Sequence, residues 1–310
     1  MKNFILFVAF ILIHITLKAQ ISSGKPTTAA DSLLNSIAGD NSKEHAAVFE
    51  SSRLILSQSS ETVKKNNLNF LVLHRFGDLA GVQGGGKTFF GLDNIGDVYI
   101  GFEYGLTNNL TAGIGRSALP SGGGLADLEF KYAVLHQTND NSIPVALTLI
   151  GEAALRPYST FARLSDRFSY FAQAIVARKF SPVFSFQIAP SVVQNNLPVP
   201  DVAGNEELFL SLSATASLKI SKLMSVVVDY AHPFSSFRNA NGFSDPLGFG
   251  IQVVTGGHVF TINITNARAV SEINYLSNTT SDYSRGQYRL GFTISRTFDF
   301  NHKEKYQPKR

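Results

Sequence analysis

The chain contains long stretches in which apolar and polar side chains alternate, most clearly at 97–106, 127–134, 208–220 and 287–294. In the first stretch, one set of alternate positions holds Val98, Ile100, Phe102, Tyr104 and Leu106, and the other holds Asp97, Tyr99, Gly101, Glu103 and Gly105. Successive side chains of a β-strand point to opposite faces, so this period of two indicates strands with one apolar and one polar face.

We predict twelve strands of this kind, and their length is unusual for a soluble protein. They span roughly 9–14 residues, whereas a soluble strand usually has about 5–6 and a tilted membrane strand needs about 9–11. The predicted strands cover residues 68–76, 96–106, 109–116, 126–136, 143–154, 167–180, 183–193, 207–220, 223–232, 246–254, 258–265 and 286–299.

The connections between these strands alternate between short and long. The short ones are 107–108, 137–142, 181–182, 221–222 and 255–257. The long ones, rich in Gly, Pro, Asn and Ser, are 77–95, 117–125, 155–166, 194–206, 233–245 and 266–285. Short periplasmic turns that alternate with long external loops are typical of outer-membrane barrels, and a soluble Greek key would not keep this alternation. We therefore predict an all-β protein, a transmembrane antiparallel up-and-down β-barrel of about 12 strands with both chain ends in the periplasm.

The first 19 residues have the pattern of a secretory signal peptide. Lys2 supplies the positive charge, residues 4–17 are mostly apolar, and Ala19 suits cleavage. The alternative is a helix that anchors the chain in a membrane, but the run is short for a helix that spans a bilayer. Loss of residues 1–19 removes Lys2 and Lys18 and lowers the formal net charge from +4 to +2, which gives no support for nucleic-acid binding.

The rest of the chain divides into three parts. Residues 20–66 form a polar leader, with a short helix predicted near 31–39 and a strand-like stretch at Arg53-Leu54-Ile55-Leu56. A thirteenth wall strand would break the even count, so we place this stretch either in the periplasm or inside the lumen, where the leader would plug the barrel. Residues 67–300 form the barrel, and 301–310 form a polar C-terminal tail.

The motifs that usually indicate chemistry do not identify a site. Gly81–Thr88 matches the P-loop pattern, but an alternating strand follows it in place of the helix that phosphate binding requires. The chain has no Cys, no H-E-x-x-H and no G-x-S-x-G, so no disulfide, metal-ligand set or serine nucleophile can be singled out. We therefore predict no cofactor, no metal and no enzymatic activity, with a barrel hydrolase as the least favoured alternative.

Charged residues mark the strand face that lies opposite the apolar one. A Lys or Arg that faces lipid at mid-membrane costs roughly 2–4 kcal/mol, so this face is expected to line the lumen. The main positions are Asp97, Glu103, Asp127, Glu129, Lys131, Glu152, Asp229 and Arg289, and Lys179 and Lys219 lie on the same face. Either these residues line an open polar pore, or ion pairs between neighbouring strands fill the lumen. Such pairs would join Glu129 or Asp127 to Lys131 or Arg289.

Several segments in series resemble one protein family. They are His74-Arg75-Phe76-Gly77, Phe89-Phe90-Gly91-Leu92-Asp93, Glu103-Tyr104-Gly105, Gly113-Ile114-Gly115-Arg116-Ser117, Ala177-Arg178-Lys179-Phe180, Thr255-Gly256-Gly257-His258-Val259-Phe260 and Ile294-Ser295-Arg296. Over about residues 50–300, the chain resembles a Bacteroidetes outer-membrane β-barrel family of unknown function, domain of unknown function 5777. The resemblance implies an outer-membrane barrel and brings no reaction, substrate or catalytic residue.

The function predicted from these features is a passive or gated pore for small solutes in the cell outer membrane. The alternative is a closed barrel with a structural or docking role, whose loops or leader bind a partner. The expected partners are outer-membrane lipid and either small solutes or a periplasmic protein, with no nucleic acid and no nucleotide.

Overall fold

Twelve antiparallel strands form the wall of a closed barrel, in which each strand pairs with its neighbours in sequence and β1 pairs with β12. The strands are β1 (Asn67–Asp78), β2 (Ile95–Gly105), β3 (Leu110–Ser117), β4 (Ala126–Leu135), β5 (Ala146–Leu155), β6 (Phe168–Lys179), β7 (Phe184–Asn195), β8 (Glu207–Lys219), β9 (Met224–Phe234), β10 (Leu247–Thr255), β11 (His258–Thr265) and β12 (Arg289–Asp299). The antiparallel up-and-down barrel predicted from the alternation is therefore confirmed.

The computed structural model describes residues 43–81, 83–120, 123–157, 163–196 and 207–300. The signal peptide, the short helix near 31–39 and the C-terminal tail that the sequence predicts lie outside the described residues. All twelve strands and the residues that precede β1 from Lys43 onward lie within them.

Connections are mostly short at one end of the barrel and mostly long at the other, as predicted, but the β4–β5 connection (136–145) at the first end is longer than the β3–β4 connection (118–125) at the second. At the first end, here the short-turn end, most links are tight, such as residues 256–257 between β10 and β11. The other long connections lie at the opposite end, here the long-loop end. Asn67 pairs with Asp299, so the wall begins and finishes at the short-turn end.

The alternation separates a lipid-facing surface from a lumen-facing one. Outward positions carry large apolar side chains that remain exposed on the isolated barrel, among them Phe130, Leu210 and Ile262. Apart from Ala133, inward positions on β2–β4 are polar, charged or glycine, whereas those on β5–β9 also include larger apolar residues such as Ile150 and Val227. The lumen lining is therefore polar on one side and mixed on the other.

The helices of the barrel are short. Helix α1 (Ser236–Ala240) lies in the connection between β9 and β10, and α2 (Glu272–Asn278) lies in the connection between β11 and β12. Among the described residues, no helix is both long enough and apolar enough to cross a membrane.

Two segments occupy the interior of the barrel. Residues 46–63, here the luminal segment, precede β1, and every residue from 51 to 60 is buried. Residues 266–281, here the inner loop, follow β11 at the long-loop end and fold inward. The inner loop includes α2, which is buried from Glu272 to Ser277 and contacts β6, β7 and β9. The connection that the sequence predicts to be external is therefore largely internal.

The luminal segment enters and leaves the barrel at the same end. His45 bridges to Thr138 and Lys65 bridges to Gly105, and both partners belong to the short-turn end. Between these points the chain turns back on itself at residues 53–58, deep in the interior. The strand-like stretch at 53–56 is thus the tip of a plug in the lumen and contributes no strand to the wall.

The substitution Ile262→Lys tests the lipid-facing surface. Ile262 lies in the middle of β11 and is 65% exposed. A lysine near the bilayer midplane costs roughly 2–4 kcal/mol, so the free energy of urea unfolding in lipid vesicles should fall by that amount. Gly256→Lys, in an exposed turn, is the control and should change the free energy by less than about 0.5 kcal/mol. Equal stability of the two variants would show that this face does not contact lipid.

Candidate functional site

All eight charged residues predicted to line the lumen are buried on the inner side of the wall. Their exposed fractions are 0% for Asp97, 3% for Glu103, 9% for Asp127, 4% for Glu129, 1% for Lys131, 6% for Glu152, 0% for Asp229 and 7% for Arg289. The luminal segment and the inner loop cover them, so they do not border an open channel. Five of the six on β2, β4 and β5 come together, namely Glu103, Asp127, Glu129, Lys131 and Glu152. Asp97, Asp229 and Arg289 lie apart and bind other portions of the interior.

The guanidinium of Arg53, at the tip of the luminal segment, is the centre of the polar contacts. Its Nη1 atom donates to Oε1 of Glu272 in α2 (2.9 Å), and its Nη2 atom donates to Oε2 of Glu129 on β4 (3.3 Å). The ring centre of Tyr99 lies 5.2 Å from the guanidinium carbon. Arg53 is only 4% exposed, so one buried cation joins the luminal segment, the inner loop and the wall.

Three glutamates form a row across the wall, here the carboxylate row. Glu103 on β2 and Glu129 on β4 lie on either side of Gly113, and Glu152 on β5 lies directly opposite Glu129. The side-chain amide of Gln58 in the luminal segment donates to Glu129. The row therefore forms the wall side of the contact with the plug.

Further hydrogen bonds surround the carboxylate row. The hydroxyl of Ser52 donates to Oε2 of Glu103 (2.5 Å), and the ammonium of Lys131 donates to the carbonyl oxygen of Ser52 (3.2 Å). The hydroxyl of Tyr99 donates to Oδ1 of Asp127 (3.0 Å). Both the side chain and the backbone of Ser52 are thus held by the wall.

The ion pairs expected between neighbouring strands for Glu129 and Asp127 do not occur among the described residues. Glu129 pairs with Arg53 of the luminal segment, and Arg289 pairs with Asp78 (2.7 Å). That prediction was wrong because it considered the wall alone, whereas the lumen holds a second part of the chain that supplies the cation.

Two wall aspartates bind backbone N–H groups of the interior segments. Oδ2 of Asp229 accepts from the successive N–H groups of residues 55–57, at 2.9, 2.8 and 3.2 Å. Oδ2 of Asp97 accepts from the N–H of Val270 in the inner loop (2.9 Å). Hydrogen bonds to an ionised carboxylate are stronger than neutral ones, so these contacts define the backbone path of both segments.

Arg289 joins the two ends of the inner loop. Its Nη1 atom donates to the carbonyl oxygen of Asn266 and to the hydroxyl of Ser281, both at 2.8 Å. Asn266 begins the inner loop and Ser281 ends it. A single guanidinium therefore holds the loop closed near the long-loop end.

Apolar packing fills the rest of the lumen. The buried cluster joins the tip and α2 to the wall through Leu54, Ile55, Leu56, Ile273, Tyr275, Leu276, Ile150, Phe171, Ile175 and Val227. Burial of one such aliphatic side chain contributes about 1.5–3 kcal/mol. The plug is therefore held mainly by polar contacts on the side of β2–β4, and by apolar contacts together with the carboxylate of Asp229 on the side of β5–β9.

At the short-turn end, three titratable side chains fasten the luminal segment to the wall; they are His45, Glu61 and His136, here the rim cluster. Nδ1 of His136 lies 3.2 Å from Nε2 of His45, and its Nε2 lies 3.0 Å from Oδ1 of Asn109. Oε2 of Glu61 lies 3.8 Å from Nε2 of His45. Because a carbonyl oxygen only accepts hydrogen bonds, His136 carries its proton on Nε2 and accepts from His45 at Nδ1.

The surroundings of the rim cluster favour the neutral form of each side chain. Burial lowers the pKa of His45, and the charge of Lys64 lowers it further. Burial and the neighbouring His45 lower the pKa of His136. Burial raises the pKa of Glu61, although hydrogen bonds from the N–H groups of residues 48 and 49 oppose this shift. In the part of the chain that the structure describes, no group of three such side chains has the geometry of a metal site.

A cavity of about 410 Å³ lies at the short-turn end between the luminal segment and the wall. Its lining is mixed and includes the polar side chains of Glu50, Ser52, Asn69, His258 and Thr297. This space lies beside the plug.

The sequence analysis missed three side chains that build this site. Arg53 precedes an apolar run in a segment interpreted as a leader, and Glu272 lies in a connection interpreted as an external loop. Arg75 on β1 is fully buried and donates to the carbonyl oxygen of Ile55 and to Oδ1 of Asn263 (3.0 Å). Of these three residues, only Arg75 could have been identified from the sequence, because it occupies an inward position of a predicted strand.

Comparisons with known proteins agree with a membrane barrel. A family model described as a membrane bound beta barrel domain matches residues 49–298, which include most of the luminal segment. A comparison with curated proteins gives no match. Among solved structures, the NanC porin is 11% identical, with a TM-score of 0.46 over 74% of this chain and 98% of that one. The KdgM porin is 7% identical (TM-score 0.45, 75% and 99% covered), and an outer membrane channel from Pseudomonas putida F1 is 10% identical (TM-score 0.43, 77% and 98% covered).

Gly115→Ala tests the packing of Tyr99 beneath Arg53. A Cβ atom at Gly115 would overlap the Tyr99 ring, and a displaced ring loses its hydrogen bond to Asp127. We expect the free energy of urea unfolding to fall by about 1–3 kcal/mol. The matched control is Gly151→Ala on β5, where an added Cβ meets nothing within 4 Å. If Gly115→Ala were as stable as this control, the ring would not be held in the described position.

The rim cluster predicts that acid weakens the attachment of the luminal segment. Once the segment is released, each histidine regains its ordinary pKa of about 6.5. The released state therefore binds more protons as the pH falls through that value, and the attached state loses stability. Glu61 acts in the opposite sense, because a raised pKa favours the attached state at low pH. The substitution Glu61→Gln removes this opposing contribution, so the remaining pH dependence of the attachment comes from the two histidines.

The release can be followed by the reactivity of a cysteine at position 57, since the native chain has no Cys. Ser57 is 2% exposed, so Ser57→Cys reacts with a thiol reagent only when the segment leaves. In the Glu61→Gln background, labelling should rise about threefold or more between about pH 7.5 and about pH 5.5. Rates are divided by those of Gly256→Cys, an exposed reference that corrects for ionisation of the thiol. A corrected rate that does not change with pH would contradict the prediction.

Proposed function

The chain belongs to the family of membrane-bound β-barrel domains, domain of unknown function 5777, and on this premise we propose that it is a gated pore for small solutes. Closed antiparallel barrels with short turns at one end and long loops at the other are the architecture of outer-membrane proteins, so the barrel lies in an outer membrane. In this proposal the luminal segment is the gate, and solutes pass when it withdraws.

The observation that carries the proposal is that both ends of the luminal segment lie at the short-turn end. The bridges from His45 to Thr138 and from Lys65 to Gly105 define that rim, while the tip at 53–58 lies deep in the lumen. A segment of this shape can leave along the barrel axis without breaking the wall and without threading through another part of the chain.

The contacts at the tip are also suited to release. Among the described residues, two buried polar atoms at the tip have no hydrogen-bond partner, Nε of Arg53 and Oε1 of Gln58. A buried polar atom without a partner costs about 1–3 kcal/mol, and this cost disappears when water reaches the atom. Withdrawal therefore recovers part of the free energy that is lost with the contacts.

The test is the conductance of the purified full-length protein in planar bilayers, compared with that of Arg53→Ala. Removal of one partner from a buried ion pair costs about 3–5 kcal/mol, because Glu129 and Glu272 then lack a cation. We expect the native protein to open rarely and the variant to be open at least about tenfold more of the time. Arg163→Ala, which removes an exposed arginine between β5 and β6, is the matched control and should resemble the native protein.

The outcome that contradicts the gated pore is equally specific. A folded, heat-modifiable barrel that never conducts, in both the native and the Arg53→Ala forms, would favour the closed barrel with a docking role. Arg53→Lys keeps the charge but not the two-pronged hydrogen bonding of a guanidinium. Its open fraction should therefore lie between those of the native protein and Arg53→Ala.

The partners of this pore are small solutes and outer-membrane lipid, and its function involves neither a catalytic step nor a cofactor. The Bacteroidetes origin that the sequence resemblance implies is part of the same proposal.

A further inference from the structure

We propose that the open pore selects cations, and that the carboxylate row is its cation site, which the guanidinium of Arg53 occupies while the pore is closed. This inference rests on the proposed gated pore and names its class of solute. That class comprises small inorganic cations and organic cations with a guanidinium or ammonium group.

Away from the short-turn rim, the inward face of the described strands carries more negative than positive charge. Its acidic residues are Asp97, Glu103, Asp127, Glu129, Glu152 and Asp229. Apart from the Asp78–Arg289 pair and the lysines at the short-turn rim, its basic residues are Arg75 and Lys131. Six carboxylates therefore face two cations, and low-dielectric walls strengthen the resulting negative potential.

The carboxylate row is compact enough to act as one site. Glu129 and Glu152 lie directly opposite each other on neighbouring strands, a position in which Cβ atoms are about 4.5–5.5 Å apart. Like charges in this position repel each other, and a cation near both of them offsets the repulsion. In the closed state that cation is Arg53, whose Nη2 atom lies 3.3 Å from Glu129.

Glu152 shows that the site has unused capacity for a cation. It is 6% exposed, and its Oε2 atom has no hydrogen-bond partner among the described residues. Oε1 of Glu103 is also buried and has no hydrogen-bond partner among the described residues. A buried carboxylate oxygen is costly unless a donor or a cation contacts it, so both atoms are available to a cation from solution.

Tyr99 adds a second type of cation contact to the same place. Its ring lies 5.2 Å from the guanidinium carbon of Arg53, within the range at which an aromatic face attracts a cation. Tyr99 belongs to β2 and therefore stays with the wall when the luminal segment withdraws. The combination of an aromatic face and carboxylates on the wall suits a guanidinium or an ammonium group.

Withdrawal of the luminal segment takes Arg53 away and leaves the carboxylate row, together with Glu272 of the inner loop, facing the space that the segment occupied. The glutamates stay in place, because pairing with neighbouring strands fixes β2, β4 and β5. Acidic side chains that line a pore attract cations and reject anions. Opening the gate and creating the selective site are thus the same movement.

The test is the reversal potential across a planar bilayer under a gradient of KCl, measured on the full-length Arg53→Ala protein. We expect potassium to permeate at least about threefold better than chloride. The added change Glu152→Gln should lower this ratio about twofold, because it removes one charge from the row. Asp93→Asn, in an exposed part of the loop between β1 and β2, is the matched control and should leave the ratio unchanged.

Two further measurements complete the test. Glu103→Gln repeats the change at the other end of the row, so the inference stays testable if Glu152→Gln does not fold. Replacement of KCl by guanidinium chloride should give a reversal potential of the same sign, because guanidinium fits the site that Arg53 leaves.

The outcomes separate this inference from the gated pore on which it rests. A current without ion preference, or with a preference for chloride, would overturn the cation site and leave the gated pore intact. A ratio that neither Glu152→Gln nor Glu103→Gln alters would overturn the assignment to the carboxylate row. Absence of any current from the folded protein would overturn the gated pore and this inference together.

Discussion

Lipid cannot hydrogen-bond to a free sheet edge, and the rest of the structure depends on this constraint. Every backbone group of the wall needs a partner on a neighbouring strand, so the sheet closes by pairing β1 with β12. A barrel of twelve strands is wider than the eight-stranded kind whose side chains just fill the interior. The chain fills the remaining space with its own luminal segment and inner loop, and the buried charges of the wall meet their partners there.

Apolar and polar contacts contribute differently to holding the plug. Apolar contacts such as those of Ile55 and Leu276 stabilise it through burial, largely independent of its exact position. The polar contacts of Arg53 with Glu129 and Glu272 contribute less net free energy, because the same groups are well hydrated when the lumen is wet. Their geometry is directional, however, so they define where the tip stops. The plug therefore has one preferred position without being permanently bound.

The wall could be predicted from the sequence because its signal is local and repeated. Asp97, Glu103 and Glu129 were assigned to the inward face by parity alone, and the structure buries each of them. The contact between Arg53 and Glu272 was not predictable, because it joins residues 219 positions apart that belong to no common periodic pattern. The burial of the inner loop could have been predicted from its sequence pattern. Val270, Ile273 and Leu276 repeat at a spacing of three in a connection interpreted as external, and such a run indicates a buried face.

The position of the luminal segment in the chain has a consequence for assembly. This segment is synthesised before any strand of the wall, yet its partners are spread from β1 to the inner loop, as the pairing of Arg53 with Glu272 shows. Contacts of such long sequence separation form late, because the intervening chain must be ordered first. Of the described residues, those that leave the ribosome first therefore reach their native environment late. Until the barrel has closed, the apolar run Leu54-Ile55-Leu56 has no lumen to enter and is exposed to association with other chains.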